Sequence, residues 1–197
     1  MEQYDALLSR YVSPRGVRYG DWRRSSEDRR ALREVVAFLQ KTDPGDLVGP
    51  ARYALYINLY NAKVLELVLE GDPPGSIKNL SRGINPYQIF TKKSLSLGGE
   101  RLSLVNLENR LRQESGDPRI HFAANCASRS CPPIARESYR GQTLDQQLDR
   151  ATRAFLASPG NVSVKEGSTW LGRPVLEVSV SRIFKWYARD FEPRGGV

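Results

Sequence analysis

Residues 53–69 read Tyr-Ala-Leu-Tyr-Ile-Asn-Leu-Tyr-Asn-Ala-Lys-Val-Leu-Glu-Leu-Val-Leu, and this stretch decides the fold. Tyr53, Leu55, Tyr56, Ile57, Leu59, Tyr60, Val64, Leu65, Val68 and Leu69 leave almost no polar face. A helix that is apolar nearly all round must be enclosed on every side. The pattern predicts a central buried helix from about Pro50 to Glu70, ended by Gly71-Asp72-Pro73-Pro74-Gly75. Asn58 and Asn61 interrupt it three residues apart, on one face. Buried amides need hydrogen-bond partners, so the pair is expected to tie the helix to a neighbouring loop and hold a site in shape.

Working outward, Tyr4, Leu7, Leu8 and Tyr11 have helical spacing, and Ser25-Ser26-Glu27 can cap a helix to about Lys41 with Leu32, Val35, Val36 and Leu39 inward. Residues 76–93 read as irregular, anchored by Ile84, Tyr87, Ile89 and Phe90, and Gly98-Gly99 as the turn of a hairpin. Ser103 should cap a short helix through about Gln113, with Leu104, Leu107 and Leu111 inward. Glu108 borders that inner face; a surface pair with Arg112, four residues on, is the alternative. Thr143 opens an amphipathic helix to about Ser158, and short strands follow at 162–164, 169–171 and 175–180. A last helix runs from Ser181 to Phe191 with Ile183, Phe184, Trp186 and Tyr187 inward, leaving 192–197 as a flexible tail. The expectation is an α+β fold in a single domain, 1–191. Several helices pack round the central one, with a small antiparallel sheet.

The chain has 197 residues and a net charge of +8, from 30 basic against 22 acidic side chains. The basic residues are dispersed, and no nucleic-acid recognition motif accompanies them, so nucleic acid is not an expected partner. No apolar run reaches membrane-spanning length, and Met1–Arg10 lacks the apolar core of a secretory signal. The expected location is cytoplasmic for the chain as given, or periplasmic or secreted if a leader was removed. No cofactor is expected.

The chemistry concentrates in Arg119–Pro133, Arg-Ile-His-Phe-Ala-Ala-Asn-Cys-Ala-Ser-Arg-Ser-Cys-Pro-Pro, which holds the one histidine, His121, and both cysteines, Cys126 and Cys131. Ile120–Ala124 reads as a short strand and the rest as a loop stopped by Pro132-Pro133. A thiol beside a histidine is a nucleophile-and-base arrangement; the same residues also pack as ordinary core side chains. Cys126 is favoured as nucleophile because Ala127, Ser128 and Arg129 behind it carry N–H groups, whereas Cys131 precedes two prolines. Five residues of extended strand span roughly 16 Å, too far for direct His121–Cys126 contact. Either a bulge or sharp turn near Ala124 or Asn125 is required, or a fold-back centred near Cys126 that lays Cys131 opposite His121. Asn125 and Ser128 join Asn58 and Asn61 as candidate binding residues. The four-residue gaps suit a zinc site poorly, and a Cys126–Cys131 bridge stays open.

Ala54–Ala62, Ser103–Glu108, Arg119–Pro133 and Arg182–Phe191 together resemble the DUF547 family, in its order and over nearly the whole chain, with Tyr56 where tryptophan is expected. The site chemistry is also similar to that of papain-like or transglutaminase-like cysteine enzymes. That likeness implies a papain-like arrangement, with Cys126 as nucleophile, His121 as base and Glu108 orienting the imidazole; Asn61 or Asn58 is the reserve orienting group. The implied activity is a thiol-dependent hydrolase or acyltransferase acting on an amide or peptide-like substrate. The alternative is a non-catalytic domain that binds a peptide or small molecule, its cysteines structural or redox-active.

Overall fold

The structure, a computed structural model, describes residues 1–73, 75–81, 85–128 and 131–195. Ile84, Arg129 and Ser130 therefore lie outside the described residues.

The central helix, α4, runs Pro50–Gly71, after α1 (Glu2–Tyr11), β1 (Val12–Ser13), β2 (Gly16–Val17), α2 (Tyr19–Arg24) and α3 (Ser26–Lys41). Pro50 opens α4 and Asp72, in the left-handed region at φ 42°, closes it. Pro suits the first helical turn, where its missing N–H has no intrahelical partner. Ala54–Ala62 are buried without exception, together with Val64, Leu65, Glu66, Val68 and Leu69. Each fully buried aliphatic side chain contributes about 1.5–3 kcal/mol, so the helix anchors the fold. α2, α3 and α7 (Leu144–Leu156) pack on it, as does α6 (Leu104–Ser115). Ser25 caps α3 by accepting from the Asp28 N–H. Ser103 and Asn106 form a reciprocal capping box on α6, which satisfies two N–H groups at once.

The fold is α+β, and its strands form three separate two-stranded antiparallel hairpins. After α5 (Gln88–Thr91), β3 (Leu95–Leu97) and β4 (Glu100–Leu102) pair in the register Leu95↔Leu102. Gly98 and Gly99, at φ 55° and 77°, supply the two left-handed residues of a tight hairpin turn. β5 (Val162–Ser168) pairs with β6 (Pro174–Val180) from Val162↔Val180 to Ser168↔Pro174. Thr169-Trp170-Leu171, expected as a strand, is instead the tip of this hairpin. The Gly172 N–H bonds back to Thr169 O and Gly172 takes φ 73°.

Two further expectations change. Ile120–Ala124 is not a strand: Pro118–Phe122 is a 3-10 helix capped by the Asp117 side chain, which accepts from the Arg119 N–H. Pro118 fixes the first φ and the Asp cap captures the turn, so a local signal overrides the apolar run. Trp186, expected inward, is 63% exposed, while Ile183 beside it is buried. α8 (Arg182–Trp186) and α9 (Ala188–Phe191) break at Tyr187 and continue into a 3-10 turn, Glu192–Arg194.

Phe122, Phe155, Ile183 and Phe191 form a second apolar cluster apart from the main core. It seats α8 and α9 against the Pro118–Phe122 turn, with Phe122 and Phe155 ring centroids 4.8 Å apart. Among the described residues no helix is long and apolar enough to cross a membrane.

Candidate functional site

α4 positions the site through its two amides. Asn61 donates to Ala123 O at 2.9 Å and accepts from the Asn125 N–H at 2.8 Å. One side chain thus satisfies a backbone acceptor and a donor at the mouth of the cysteine loop. Asn58 does the same to both groups of Tyr139, at 2.8 and 2.9 Å. Asn58 serves the neighbouring segment and does not line the cavity described below. Asn125 closes the loop from within, accepting from the Ala127 N–H at 2.8 Å and donating to Pro132 O at 2.6 Å. Ala127 takes φ 57° at the bend, a strained position for a residue with a Cβ.

The loop carries the Cys126–Cys131 disulfide. Of the two states left open by the sequence, the bridged one is present, and neither sulfur is a thiol here. The Ser128 hydroxyl lies 3.6 Å from Cys126 Sγ and 3.4 Å from Cys131 Sγ. The extended strand that would hold His121 and Cys126 roughly 16 Å apart is absent: the chain turns at Pro118–Phe122, and the Ala123 and Ala124 N–H groups both bond to Ile120 O. Both cysteines line one cavity with His121, together with Tyr60, Glu108, Pro132, Ile183, Trp186 and Tyr187. Its volume is about 80 Å3.

His121 is held by a carboxylate and a stacked ring. Its side chain is 2% exposed, and Nε2 lies 2.7 Å from Asp190 Oδ2. Its ring stacks on Tyr187 with centroids 3.8 Å apart. Asp190 in turn accepts two hydrogen bonds from Arg112, at 2.7 and 2.9 Å, a bidentate pair. Those bonds, with the one from His121, keep the Asp190 carboxyl below the usual carboxylate range. An ionised carboxylate only accepts, so His121 Nε2 carries the proton and Nδ1 is the basic nitrogen. Burial lowers the His121 pKa from its ordinary value, against the raising effect of Asp190.

The expected Glu108–His121 hydrogen bond is not made, and neither is the surface pair with Arg112. Glu108 Oε1 accepts from the Tyr187 hydroxyl at 2.5 Å, while Arg112 reaches past it to Asp190. Burial raises the Glu108 pKa, opposed by the Tyr187 bond. Tyr60 is also pushed well above the usual tyrosine range by burial, and its hydroxyl has no hydrogen-bond partner among the described residues. Of the N–H groups expected behind Cys126, that of Ala127 is bonded to Asn125 Oδ1, and Arg129 lies outside the described residues. Among the described residues no cluster of His, Cys, Asp and Glu is arranged to hold a metal ion.

Asp190, Tyr187, Tyr60 and the role of Arg112 escaped the sequence reading. A signal for Asp190 existed, because it is the one acidic residue in the aromatic segment Arg182–Phe191. An acid there has to be partnered.

The site defines an α+β protein whose disulfide loop faces a histidine–carboxylate pair. A family described as "Protein of unknown function, DUF547" matches residues 45–156, more than half of the chain, and the chain belongs to that family. The matched span contains Asn58, Asn61, Glu108, His121 and both cysteines, whereas Tyr187 and Asp190 come from beyond it. No curated protein and no solved structure matches the chain.

Proposed function

We propose that this protein is a thiol-dependent hydrolase or acyltransferase acting on an amide or peptide-like substrate, with Cys126 as nucleophile once the Cys126–Cys131 bond is reduced. The observation that carries the reading is that His121, 2.7 Å from Asp190, lines the same cavity as Cys126. A histidine with one nitrogen fixed by a carboxylate and the other basic is the general base that thiol catalysis needs. His121 Nδ1 takes the thiol proton, and Cys126 Sγ attacks the carbonyl carbon. The same proton passes to the leaving amine as the C–N bond breaks. Water, or an acceptor amine, then attacks the thioester and regenerates the thiol. Asp190, not Glu108, is the orienting carboxylate in this scheme. The unbonded Tyr60 hydroxyl is the donor proposed for the substrate oxygen. The arrangement is papain-like in its chemistry.

The proposed substrate is a small molecule or peptide rather than a nucleic acid. Arg112, Arg119, Arg140 and Arg150 are each committed to carboxylates, which leaves less basic surface for phosphates.

A second reading is favoured by the disulfide itself: a binding domain whose cysteines are structural or redox-active. One experiment separates the two. Reduced protein is mixed with an activated ester such as p-nitrophenyl acetate, quenched in acid and weighed by mass spectrometry. The enzyme reading expects an acyl adduct on Cys126, absent in the oxidised protein and in Cys126→Ser. Reduced, folded protein that acquires no adduct on Cys126 would leave the binding reading.

A further inference from the structure

Cys131 and Pro132 stand between two spaces. On one side is the cavity of about 80 Å3 with His121; on the other is an open groove of about 780 Å3. The groove runs between the β1–β2 turn, the loop and the segment Ser158–Asn161. Cys131 and Pro132 line both spaces, whereas Cys126 lines only the inner one. The inner cavity has about a tenth of the groove's volume, so it is the tighter approach for a thiol of peptide size. The groove has room for one. Arg15 is the charged side chain among its described lining residues, which favours an anionic visitor.

We propose that Cys131 is the modification site of this protein. A small anionic thiol enters the groove and attacks Cys131 Sγ, and Cys126 departs as the leaving group into the cavity with His121.

The thiolate RS⁻ forms an S–S bond to Cys131 as the Cys126–Cys131 bond breaks, and the electron pair of that bond leaves on Cys126 Sγ. A second RS⁻ attacks the R sulfur of the mixed disulfide and releases Cys131 as a thiolate. Overall, two RSH are oxidised to RSSR and the protein disulfide is reduced to two thiols, with the two protons passing to the cysteines. Attack on a disulfide requires access to the sulfur, and Cys131 is the cysteine that lines the large space. The Ser128 hydroxyl, beside both sulfurs, can bond to either as charge develops. This order of events rests on the two cavities. Its consequence, that thiol attack at Cys131 frees the nucleophile, rests on the function proposed above.

The test uses the full chain in its oxidised form with limiting glutathione, a tripeptide thiol with two carboxylates. The reaction is quenched with N-ethylmaleimide and mapped by peptide mass spectrometry. The expected intermediate carries glutathione on Cys131 and maleimide on Cys126, at least about tenfold over the reverse isomer, since access selects the sulfur attacked. An equal mixture, the reverse isomer, or a protein isolated with both thiols free in the absence of reductant would overturn the proposal. Arg15, at the exposed β1–β2 turn, supplies a second measurement. Arg15→Glu is expected to slow opening by glutathione at least about threefold through charge repulsion and to leave opening by neutral 2-mercaptoethanol unchanged. Equal effects on both thiols, or none on either, would contradict it. If the mixed disulfide forms on Cys131 but reduced protein acquires no acyl adduct, this proposal stands and the enzyme reading fails.

Discussion

Asp190 Oδ2 lies 2.7 Å from His121 Nε2 across 69 positions of sequence. The same carboxylate is clamped by Arg112, so ring orientation at His121 depends on a residue from each of two distant helices. In the reduced protein, Asp190→Asn is expected to lower the rate of Cys126 alkylation at neutral pH by at least about tenfold, a fraction of the roughly 10²–10⁴-fold that a positioned base contributes in full. It should also cost about 1–3 kcal/mol, because Arg112 loses its charged acceptor. Urea unfolding and iodoacetamide kinetics measure the two effects separately. A stability loss with unchanged alkylation would make the pair structural.

Asn61 bonds both Ala123 O and the Asn125 N–H. Asn61→Ala strands both partly enclosed backbone groups, at about 1–3 kcal/mol each, so a loss of about 2–6 kcal/mol is expected in urea unfolding. Asn61→Asp keeps the acceptor for Asn125 and loses the donor for Ala123, and should fall between Ala and the wild type. An Ala variant within about 0.5 kcal/mol of wild type, the ordinary surface range, would show that the amide does not hold the loop.

Glu108 has a raised pKa through burial. Folded protein therefore holds the Glu108 proton more tightly than unfolded chain. Stability from this group is fully present below the unfolded carboxyl value of about 4.3 and is lost as pH rises through the folded one. Glu108→Gln keeps an acceptor for the Tyr187 hydroxyl and removes the charge. Its melting temperature should exceed that of the wild type at neutral pH, and the difference should vanish below about pH 4. A Gln variant less stable than wild type at neutral pH would show that the ionised form is the favoured one.

The legible part of this molecule was the part fixed by local periodicity. α4 announced itself because its apolar residues leave no polar face, and Asn58 and Asn61 stood out against them. The Ser25 and Ser103 caps and the Gly98-Gly99 turn were readable because capping and left-handed turns need particular residues. The site was half legible. Glu108, His121, Cys126 and Cys131 do share a cavity, yet the carboxylate on the histidine comes from α9. No sequence period joins residue 121 to residue 190, so the nearer acid, Glu108, took the role by proximity. The 3-10 turn at Pro118–Phe122 was hidden for another reason: four apolar or aromatic-like positions in a row fit a strand as well as a tight turn. There the Asp117-Pro118 pair decided the matter.

The central claim is that His121, oriented by Asp190, activates the Cys126 thiol. The most direct measurement is the pH dependence of Cys126 alkylation by iodoacetamide in the Cys131→Ser variant, which cannot form the bridge. The account predicts an apparent thiol pKa below the ordinary value of about 8.5, with the rate at neutral pH falling in His121→Gln. A Cys126 that titrates near 8.5 and reacts at the same rate with and without His121 would contradict it.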